Sequence, residues 1–399
     1  MRRRRASGRP KILIAMEPVQ GGALSHLEYL LSYTDPAEFE VHLAVSARRE
    51  PSVRDRFDAW RAAGAQVHEI PMWREISPRR DAAAFRRLLA LCLRERFDVV
   101  HTHCAKAGFL GRLAGRASGA RTVHTPHVFP FGRGGSGATE RLHLALERRA
   151  ARWTDRLVVL SRYQENLALR HDLLPPERTV LVPNGIVPER FAGADREAAR
   201  KELGLGSGEA IALAAGRFCE QKGQDVLLDA AALLKRDGAA VRIVLLGSGP
   251  LEGLMRKHIE REGLGQHVTL RGPVRDVRTY YAACDLVLMP SRFEGMPYVL
   301  LEAKAAGRAA AVGLVSGMEE FVRHGEDGFL VQTGNPEAWA KVLAALAADR
   351  SAFHRAGEQA AAGFRPEWHA SRSAGRTHEI YRKLCAEKER AQPGTCAGR

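Results

Sequence analysis

The pattern of the stretch LVLMPSRFEGMPYVLLEA, residues 286–303, predicts a strand, a loop and the start of a helix. LVLMPS is typical of a buried strand, and Pro297 suits the first turn of a helix, where its missing N–H costs nothing. The loop between them carries Glu294 just before the helix, with Gly295 permitting close backbone approach. Glu302 follows on the helix, among apolar residues. Because burying an unpaired carboxylate is expensive, Glu302 is predicted to meet hydroxyl donors such as those of a ribose.

The alternation of short apolar runs with helical stretches continues along most of the chain. In the first half the runs are KILIAME, FEVHLAVS, QVHEIPM, DVVHTHC, RTVHTPH, RLVVLS and TVLVPN, with helix-like stretches such as 79–96 and 138–152 between them. In the second half they are AIALAAG, RIVLLGSG, HVTLRGP, LVLMPS, AAAVGL and GFLVQ. Strands separated by helices imply mostly parallel sheets covered on both faces. The predicted fold class is α/β, with two doubly wound domains in tandem.

Five segments are predicted along the 399 residues. The boundary between the two domains is placed in PNGIVPERFAGAD, where Pro, Gly and polar residues interrupt the pattern. An amphipathic helix is expected near the end of the chain. The segments are a disordered basic arm (1–10), an N-terminal domain (11–190), a C-terminal domain (191–365), the terminal helix (366–390) and a disordered tail (391–399).

The composition favours a cytoplasmic protein. No run approaches the ~20 apolar residues that a membrane span needs. The basic start MRRRRASGRP is not followed by the long apolar region of a signal peptide. The six cysteines show no CxxC pairing, which indicates reduced thiols rather than a disulfide framework or a zinc site.

Positive charge is concentrated in the first half of the chain. Residues 1–190 carry 32 Lys and Arg against 20 Asp and Glu, so they account for +12 of the net charge of +15. An anionic phospholipid surface or a phosphorylated lipid carrier would suit this half, and a merely solvated basic surface is the alternative. Nucleic acid is not an expected partner, because the basic residues lack interleaved aromatics and no recognised binding module is present.

Two glycine-containing turns of the second half are candidate phosphate sites. GRFCEQKG, residues 216–223, places Arg217 and Lys222 in a strand–loop–helix connection, where two cations could neutralise a diphosphate without a metal. It lacks the Gly-Lys-Ser/Thr order of a P-loop, and a plain charged loop is the alternative. LLGSGP places Gly247 and Gly249 in a tight turn that lies beside a nucleotide or is simply a turn.

The first half offers a glycine pair and several histidines. Gly21 and Gly22 follow the first strand and precede a helix, which is a second turn that suits phosphate. His101 and His103 lie on one side of a strand, but without a matching carboxylate they are a poor metal site. His127 follows the end of the fifth strand, as either a core residue or a donor at a reaction site.

Together these segments resemble the retaining, two-Rossmann-domain (GT-B) glycosyltransferases of family 4, also called group 1. The resemblance covers roughly residues 10–388, in the expected order. The matching motifs are Gly21-Gly22, HTHCAKAGFLGRLA, TPHVF, VPNGI, GRFCEQKG, LLGSGP and SRFEGMPYVLLEAKAAG. The last of these contains the Glu-x7-Glu motif of the family, from Glu294 to Glu302.

The resemblance implies a role for each candidate residue. Arg217 and Lys222 would hold the donor diphosphate and stabilise the departing nucleotide, in place of a metal. Glu302 would bind the ribose, and Glu294 would face the donor sugar. In the second half, the amides of Gly295 and Met296 would lie near the sugar, and the turn at Gly247 and Gly249 would lie beside the nucleotide. In the first half, His127 would lie near the anomeric centre, and Gly21–Gly22 would leave room for the diphosphate and the acceptor.

The resemblance also implies the architecture and the reaction. The two domains would face each other across a cleft, the first would take the acceptor, and the terminal helix would cross back to the first. A sugar would move from a UDP- or GDP-sugar, which is a substrate and not a cofactor, to a glycan or lipid-linked acceptor of the cell envelope or of an exopolysaccharide. The anomeric configuration would be retained without a metal, in the cytoplasm or peripherally at the inner face of the membrane.

Some residues depart from the pattern of the family, and other functions stay open. Ser316 stands where glycine is usual, Val128 replaces a common glycine, and Lys304 and Arg308 replace uncharged neighbours. These differences leave the identity of the donor open. The alternatives to a transferase are a nucleotide-sugar epimerase or hydrolase on the same scaffold, and an inactive sugar-nucleotide-binding protein.

Overall fold

The structure, a computed structural model, describes residues 8–132, 137–274 and 276–390. Residues 1–7 of the expected basic arm and the whole expected tail, 391–399, lie outside the described residues. The chain forms two compact units. The first runs to Asn184 and resumes at Ala370, and the second is Gly185–His369.

The first unit contains a seven-stranded parallel sheet among its described residues, in the order β3-β2-β1-β4-β5-β6-β7. The strands are β1 (Lys11–Met16), β2 (Glu40–Val45), β3 (Gln66–Glu69), β4 (Val99–His103), β5 (Arg121–Thr125), β6 (Arg156–Val159) and β7 (Thr179–Leu181).

The described part of the second unit contains a six-stranded parallel sheet in the order β10-β9-β8-β11-β12-β13. Its strands are β8 (Ala210–Ala215), β9 (Val241–Leu246), β10 (Val268–Arg271), β11 (Leu286–Met289), β12 (Ala309–Gly313) and β13 (Phe329–Val331). Each segment predicted as a strand overlaps one of these strands, which confirms the α/β prediction of two parallel-sheet domains.

Most of the helices connect successive strands as crossovers, and the last three follow the final strand. In chain order they are α1 (Gly21–Ser32), α2 (Phe57–Ala62), α3 (Pro78–Glu95), α4 (Ala105–Ser118), α5 (Ala138–Ala151), α6 (Arg162–Arg170), α7 (Arg196–Leu203), α8 (Gln224–Arg236), α9 (Glu252–Arg261), α10 (Arg278–Ala283), α11 (Tyr298–Ala305), α12 (Pro336–Ala348), α13 (Arg350–Ala362) and α14 (Ala370–Arg390). None of the described helices combines the length and apolar character that a membrane crossing requires.

Both faces of the first sheet are covered, as the alternation of residues along β1 shows. Ile12 and Ile14 point into the core beneath α1 and α14, whereas Leu13 points into the core beneath α3 and α4. Successive strand residues face opposite sides, so an almost wholly apolar strand is what a doubly covered sheet requires. The helix α14 thus packs on the first unit, where Leu384 is fully buried.

The unit boundaries differ somewhat from the predicted segments. The first unit ends at Asn184 rather than at residue 190, and α14 starts at Ala370 rather than at 366. The chain leaves and re-enters the second unit at adjacent points, because the Ile186 N–H donates to the Trp368 carbonyl, 2.9 Å away. This pairing places residues 185–190 and 366–369 in the second unit.

Candidate active site

In the second unit, the loop that carries Lys222 meets the loop that carries Glu294 at the centre of the sheet. Strands β8 and β11 are neighbours, and the loops 216–223 and 290–297 follow their carboxyl ends. The Lys222 ammonium nitrogen lies 2.6 Å from Oε1 of Glu294, and the Glu294 side chain is only 7% exposed. The structure therefore brings together two residues that are 72 positions apart in the chain. This position is the switch point of the sheet, where ligands of open α/β sheets bind.

Backbone and side-chain contacts fasten these two loops together. The Arg292 N–H donates to the Gln221 carbonyl at 2.8 Å. The Arg292 guanidinium also donates to both carboxylate oxygens of Asp225, at 3.0 and 2.6 Å. Gly223 has φ of +66°, and a Cβ there would lie 2.2 Å from the Pro290 carbonyl oxygen. Only glycine fits at this position, because the backbone of the Lys222 loop lies directly against the backbone that precedes Glu294.

Gly247 and Gly249 hold a third loop against the first. Gly247 has φ of +141°, and a Cβ would lie 2.0 Å from the Gly216 carbonyl oxygen. A Cβ on Gly249 would lie 2.3 Å from the carbonyl oxygen of Phe218. The Phe218 N–H donates to the Ser248 carbonyl at 2.9 Å. Both glycines therefore fix the loop that carries Arg217 and Lys222; their predicted contact with a nucleotide stays a prediction.

Arg217 is the exposed cation of the loop 216–223. Its carbonyl accepts from Nε2 of Gln224 at 3.1 Å, which fixes its backbone. Its guanidinium forms no ion pair with any residue that the structure describes, whereas Lys222 is paired with Glu294. The loop thus presents one cation that is available to a ligand and one that a ligand would have to share.

Glu302 lies on α11 with one oxygen held from behind. The Tyr281 hydroxyl, on α10, donates to Oε2 of Glu302 at 2.7 Å. Burial raises the pKa of Glu302, whereas the hydrogen bond from Tyr281 and the charge of Arg190 lower it. Tyr281 itself is completely buried, and burial raises its pKa well above its ordinary value. Glu302 is thus a carboxylate of fixed orientation, and its Oε1 atom accepts no hydrogen bond from a described residue and is left for a ligand.

The start of α11 differs by one residue from its prediction. Pro297 was expected in the first helical turn, but it has extended backbone angles and the helix begins at Tyr298. Gly295 and Met296 are both buried between Glu294 and Pro297. Proline restricts the residue before it to extended conformations, so this segment stays non-helical. Their predicted role as amide donors to a sugar stays a prediction.

In the first unit the half-buried His127 belongs to a cluster of imidazoles whose other members, His26 and His103, are buried. His127 follows β5 with φ of +58°, a conformation that costs a non-glycine residue energy and occurs at functional sites. Its Nε2 lies 3.1 Å from Nδ1 of His103, at the end of β4. Nδ1 of His26, on α1, lies 3.3 Å from Oδ1 of Asn184. Gly21 and Gly22 form the first turn of α1, rather than a loop before it.

Burial keeps these histidines neutral near pH 7. It lowers the pKa of His26 to about 4 and the pKa values of His103 and His127 well below their ordinary range. His101 is satisfied by the hydroxyls of Tyr381 and Thr125, at 2.7 and 2.8 Å. Both ring nitrogens of His101 therefore have hydrogen-bond partners, so His101 and His103 do not form a metal site together.

A metal ion could be held in the described part of the chain by His26, His103 and His127. One ring nitrogen from each lies within 4.8 Å of the others. Neutral imidazoles are ordinary ligands of zinc and similar ions, although this group contains no carboxylate.

Several residues of the site could not be found from the sequence. Tyr281 contacts Glu302, the His26 ring contacts that of His127, and Asn184 contacts His26. Each of these residues is far from its partner along the chain. Tyr281 is part of the apolar pattern of α10, and His26 lies on the buried face of α1. Two signals were present in the sequence: His26 lies five residues after Gly21, and Asn184 lies in the motif VPNGI.

Comparison with known proteins identifies the class of these loops and sheets. Residues 195–362 match the model of glycosyl transferases group 1, and residues 21–185 match the glycosyl transferase 4-like domain. A D-inositol 3-phosphate glycosyltransferase of Nocardia farcinica is 33% identical over an alignment of 321 residues, which covers 76% of this chain and 70% of that protein.

Two further proteins show the same similarity. The UDP-Gal:alpha-D-GlcNAc-diphosphoundecaprenol alpha-1,3-galactosyltransferase of Escherichia coli is 29% identical over 69% of this chain and 73% of its own length. The structure of Anabaena HepE in complex with UDP and glucose superposes with a TM-score of 0.77 at 20% identity, covering 94% of this chain and all of that one. The fold is therefore that of the GT-B glycosyltransferases. The chain belongs to the group 1 glycosyltransferases and is a glycosyltransferase.

Replacing Gly223 should disturb the joined loops. Gly223→Ala forces a Cβ against the Pro290 carbonyl oxygen at a positive φ. Gly238→Ala is the matched control, because Gly238 has φ of +71° and nothing within 4 Å of its Cβ position. The control should lose about 1 kcal/mol of unfolding free energy from strain alone, and Gly223→Ala roughly 1–3 kcal/mol more. Equal losses in urea unfolding would show that the loops are not pressed together.

Acidification should destabilise the first unit through His26. Its pKa is lowered to about 4, so the unfolded chain takes up the proton first as the pH falls below about 6.5. The stabilisation from the neutral ring is complete above that pH and is lost as the pH falls toward 4. Between pH 7.5 and 5.0 this amounts to about 2 kcal/mol for His26.

Urea unfolding of the variant His26→Gln at the two pH values measures this contribution. The variant should show a weaker pH dependence than the wild type by about 2 kcal/mol. His143→Gln is the control in the same unit, because its ring forms no hydrogen bond with a described residue. If His26→Gln and the wild type have the same pH dependence, the ring is not held neutral by the fold.

Proposed function

We propose that this glycosyltransferase moves a sugar from a UDP-sugar to a lipid-linked acceptor, with retention of the anomeric configuration. The observation that carries the proposal is the convergence of Lys222, Glu294 and the Glu302 motif at the switch point of the second sheet. A UDP complex of a structural neighbour and the diphosphoundecaprenol acceptor named for a relative support the choice of donor and acceptor. A GDP-sugar donor, also expected from the sequence, is an outcome of the donor screen.

The chemistry proposed for the loop 216–223 is stabilisation of the leaving group. When the bond between the sugar and UDP breaks, negative charge develops on the β-phosphate. Arg217 and Lys222 would neutralise this charge without a metal, at the ends of strands where backbone amides also point outward. Lys222 is held in position by Glu294, so the diphosphate would have to compete with a carboxylate for the same ammonium group.

Glu302 is proposed to bind the ribose. Its Oε2 accepts from Tyr281, and its ionised Oε1 can accept hydrogen bonds from the ribose hydroxyls. A carboxylate suits a diol because it offers several acceptor sites and no competing donor. Tyr281 would act as a positioning residue that fixes the carboxylate plane.

A lipid-linked acceptor would be used at a membrane surface, so peripheral contact with anionic lipid forms part of the proposal. The acceptor is expected to bind to the first unit, together with His127. The net charge of +12 over residues 1–190 supports this arrangement. Polysaccharide or cell-envelope synthesis in the cytoplasm would be the corresponding setting.

A donor screen with product analysis tests the function. UDP release that requires an added undecaprenyl-diphosphate-linked sugar, with an unchanged anomeric configuration in the product, is the expected result. Release or epimerisation without an acceptor would favour a hydrolase or an epimerase. Tight UDP binding without turnover would favour a sugar-nucleotide-binding protein, and turnover of GDP-sugars alone would overturn the choice of donor.

Lys222→Ala should remove about 100-fold or more of kcat/KM, because a cation at the leaving group is lost from the transition state. Lys201→Ala, which removes an exposed lysine of α7 in the same unit, is the control and should retain activity. The wild-type enzyme should keep its activity in EDTA. Activity that EDTA abolishes and Mg²⁺ or Mn²⁺ restores would contradict a diphosphate held by cations alone.

The two glutamates should fail differently. Glu302→Ala should weaken UDP binding by ~1.5–3 kcal/mol, and Tyr281→Phe by about 1 kcal/mol, because each loses a hydrogen bond in the ribose site. Glu294→Ala should leave UDP affinity unchanged or raise it, because Lys222 becomes unpaired, yet transfer should fall because the contact with the sugar is lost.

Calorimetric titration with UDP separates these cases, and Tyr280→Phe controls for the loss of a neighbouring hydroxyl. If Glu294→Ala weakens UDP binding as much as Glu302→Ala does, while both variants fold, the proposed division of roles is wrong.

A further inference from the structure

Three helices on one side of the first unit present arginines and carry no exposed acids of their own. Helices α3, α4 and α5 pack side by side, and residues of α3 and α4 share one core beneath the sheet. The exposed arginines of α3 include Arg79, Arg80, Arg86 and Arg87. On the opposite side of the sheet, α14 carries acidic and basic residues together, including exposed Glu379 and Arg376. Exposed arginines without exposed acids on the same helices are therefore a feature of the side formed by α3, α4 and α5, which we call the α3–α5 face.

The acidic side chains of these three helices form ion pairs or hydrogen bonds within the first unit. Asp81 of α3 accepts from Lys106 of α4 at 2.7 Å, and buried Glu147 of α5 pairs with Arg112 of α4 at 2.8 Å. Glu95 pairs with Lys11, at 3.3 Å. Across α3, α4 and α5, whose residues are all described, no acidic side chain is exposed. Arg94 pairs with Glu95 at 2.9 Å, whereas Arg79, Arg80, Arg86 and Arg87 form no ion pair with a described residue.

The α5 end of this face combines charge with apolar surface. A groove of about 530 Å³ is lined by Arg141, Arg148, Arg149 and Arg152, together with Leu144 and Ala145. Leu142 is 48% exposed beside it, and Leu93 of α3 is 54% exposed. Arginine side chains on an apolar base match a surface that offers phosphate groups above hydrocarbon, since they can bind phosphates and cover apolar area.

We propose that the α3–α5 face docks the enzyme on an anionic lipid bilayer. Charge complementarity selects this occupant: the arginines face phosphate head groups, and Leu93 and Leu142 reach the boundary of the acyl chains. The inference rests on the proposed lipid-linked acceptor for its biological sense, but binding to vesicles requires neither donor nor acceptor. A single-stranded nucleic acid would be the other polyanion to suit arginines, and it is an outcome of the test.

Charge-reversal variants of the full-length chain test the assignment. Arg86→Glu/Arg87→Glu alters α3, and Arg141→Glu/Arg152→Glu alters α5; none of these side chains bonds to a described residue. Arg372→Glu/Arg376→Glu changes two exposed arginines of α14 and shifts the net charge by the same amount. The probes are vesicles of phosphatidylcholine alone and of equal parts phosphatidylcholine and phosphatidylglycerol.

Wild type and the α14 variant should sediment with the anionic vesicles and not with the neutral ones. Each α3 or α5 variant should bind at least about tenfold more weakly, since a basic residue near the surface contributes about fivefold. Salt should weaken binding, because the screening length falls from ~8 Å at 0.15 M to ~3 Å at 1 M. Equal losses in the α14 variant, binding to neutral vesicles, or tighter binding to an oligonucleotide would overturn the proposal.

Calorimetry with UDP separates this inference from the proposed function. All three variants should bind UDP as the wild type does, because the altered residues lie outside the donor loops. A wild type that binds UDP but no vesicles contradicts the docking face alone. A wild type that binds vesicles but no UDP contradicts the proposed donor and leaves the docking face supported.

Discussion

The ion pair between Lys222 and Glu294 is the interaction on which the proposed donor site depends. It joins the loops after two neighbouring strands, and it exists only because parallel strands place their carboxyl ends at one edge of the sheet. An ammonium group partly removed from water interacts strongly with whatever anion is nearby. Glu294 occupies that ammonium in the structure, and Arg292, Gly223 and the backbone contacts hold the two loops together.

Fixed geometry is the common feature of the site in the second unit. Gly247 and Gly249 have no side chains because the neighbouring loop occupies that space, and Tyr281 gives Glu302 one orientation. Such preorganisation lets a cation act on developing charge without first moving to it. The buried imidazoles of the first unit follow the same rule: His26 is held by Asn184, and His101 by Tyr381 of the returning helix α14.

Much of the fold could be predicted from the sequence, because parallel strands that are buried on both faces have continuous apolar sequences. The helices predicted at 79–96 and 138–152 are α3 and α5. The site could be predicted only at the level of its loops. Sequence spacing places Glu294 in a loop and Glu302 on a helix, but it contains no information on the Lys222 contact or on Tyr281. The histidine partners of His127 depend on the register of β4 against β5, which no local pattern specifies. The start of α11 was missed by one residue because proline is compatible with both positions.

The most direct measurement is a structure of the enzyme with an intact, non-transferable UDP-sugar analogue and no divalent ion. The account predicts that the Lys222 ammonium and the Arg217 guanidinium lie within hydrogen-bond distance of the diphosphate, with the ribose hydroxyls on Oε1 of Glu302 and Glu294 facing the sugar. A diphosphate bound elsewhere, or held only after a metal ion is added, with Lys222 still paired to Glu294 alone, would contradict it.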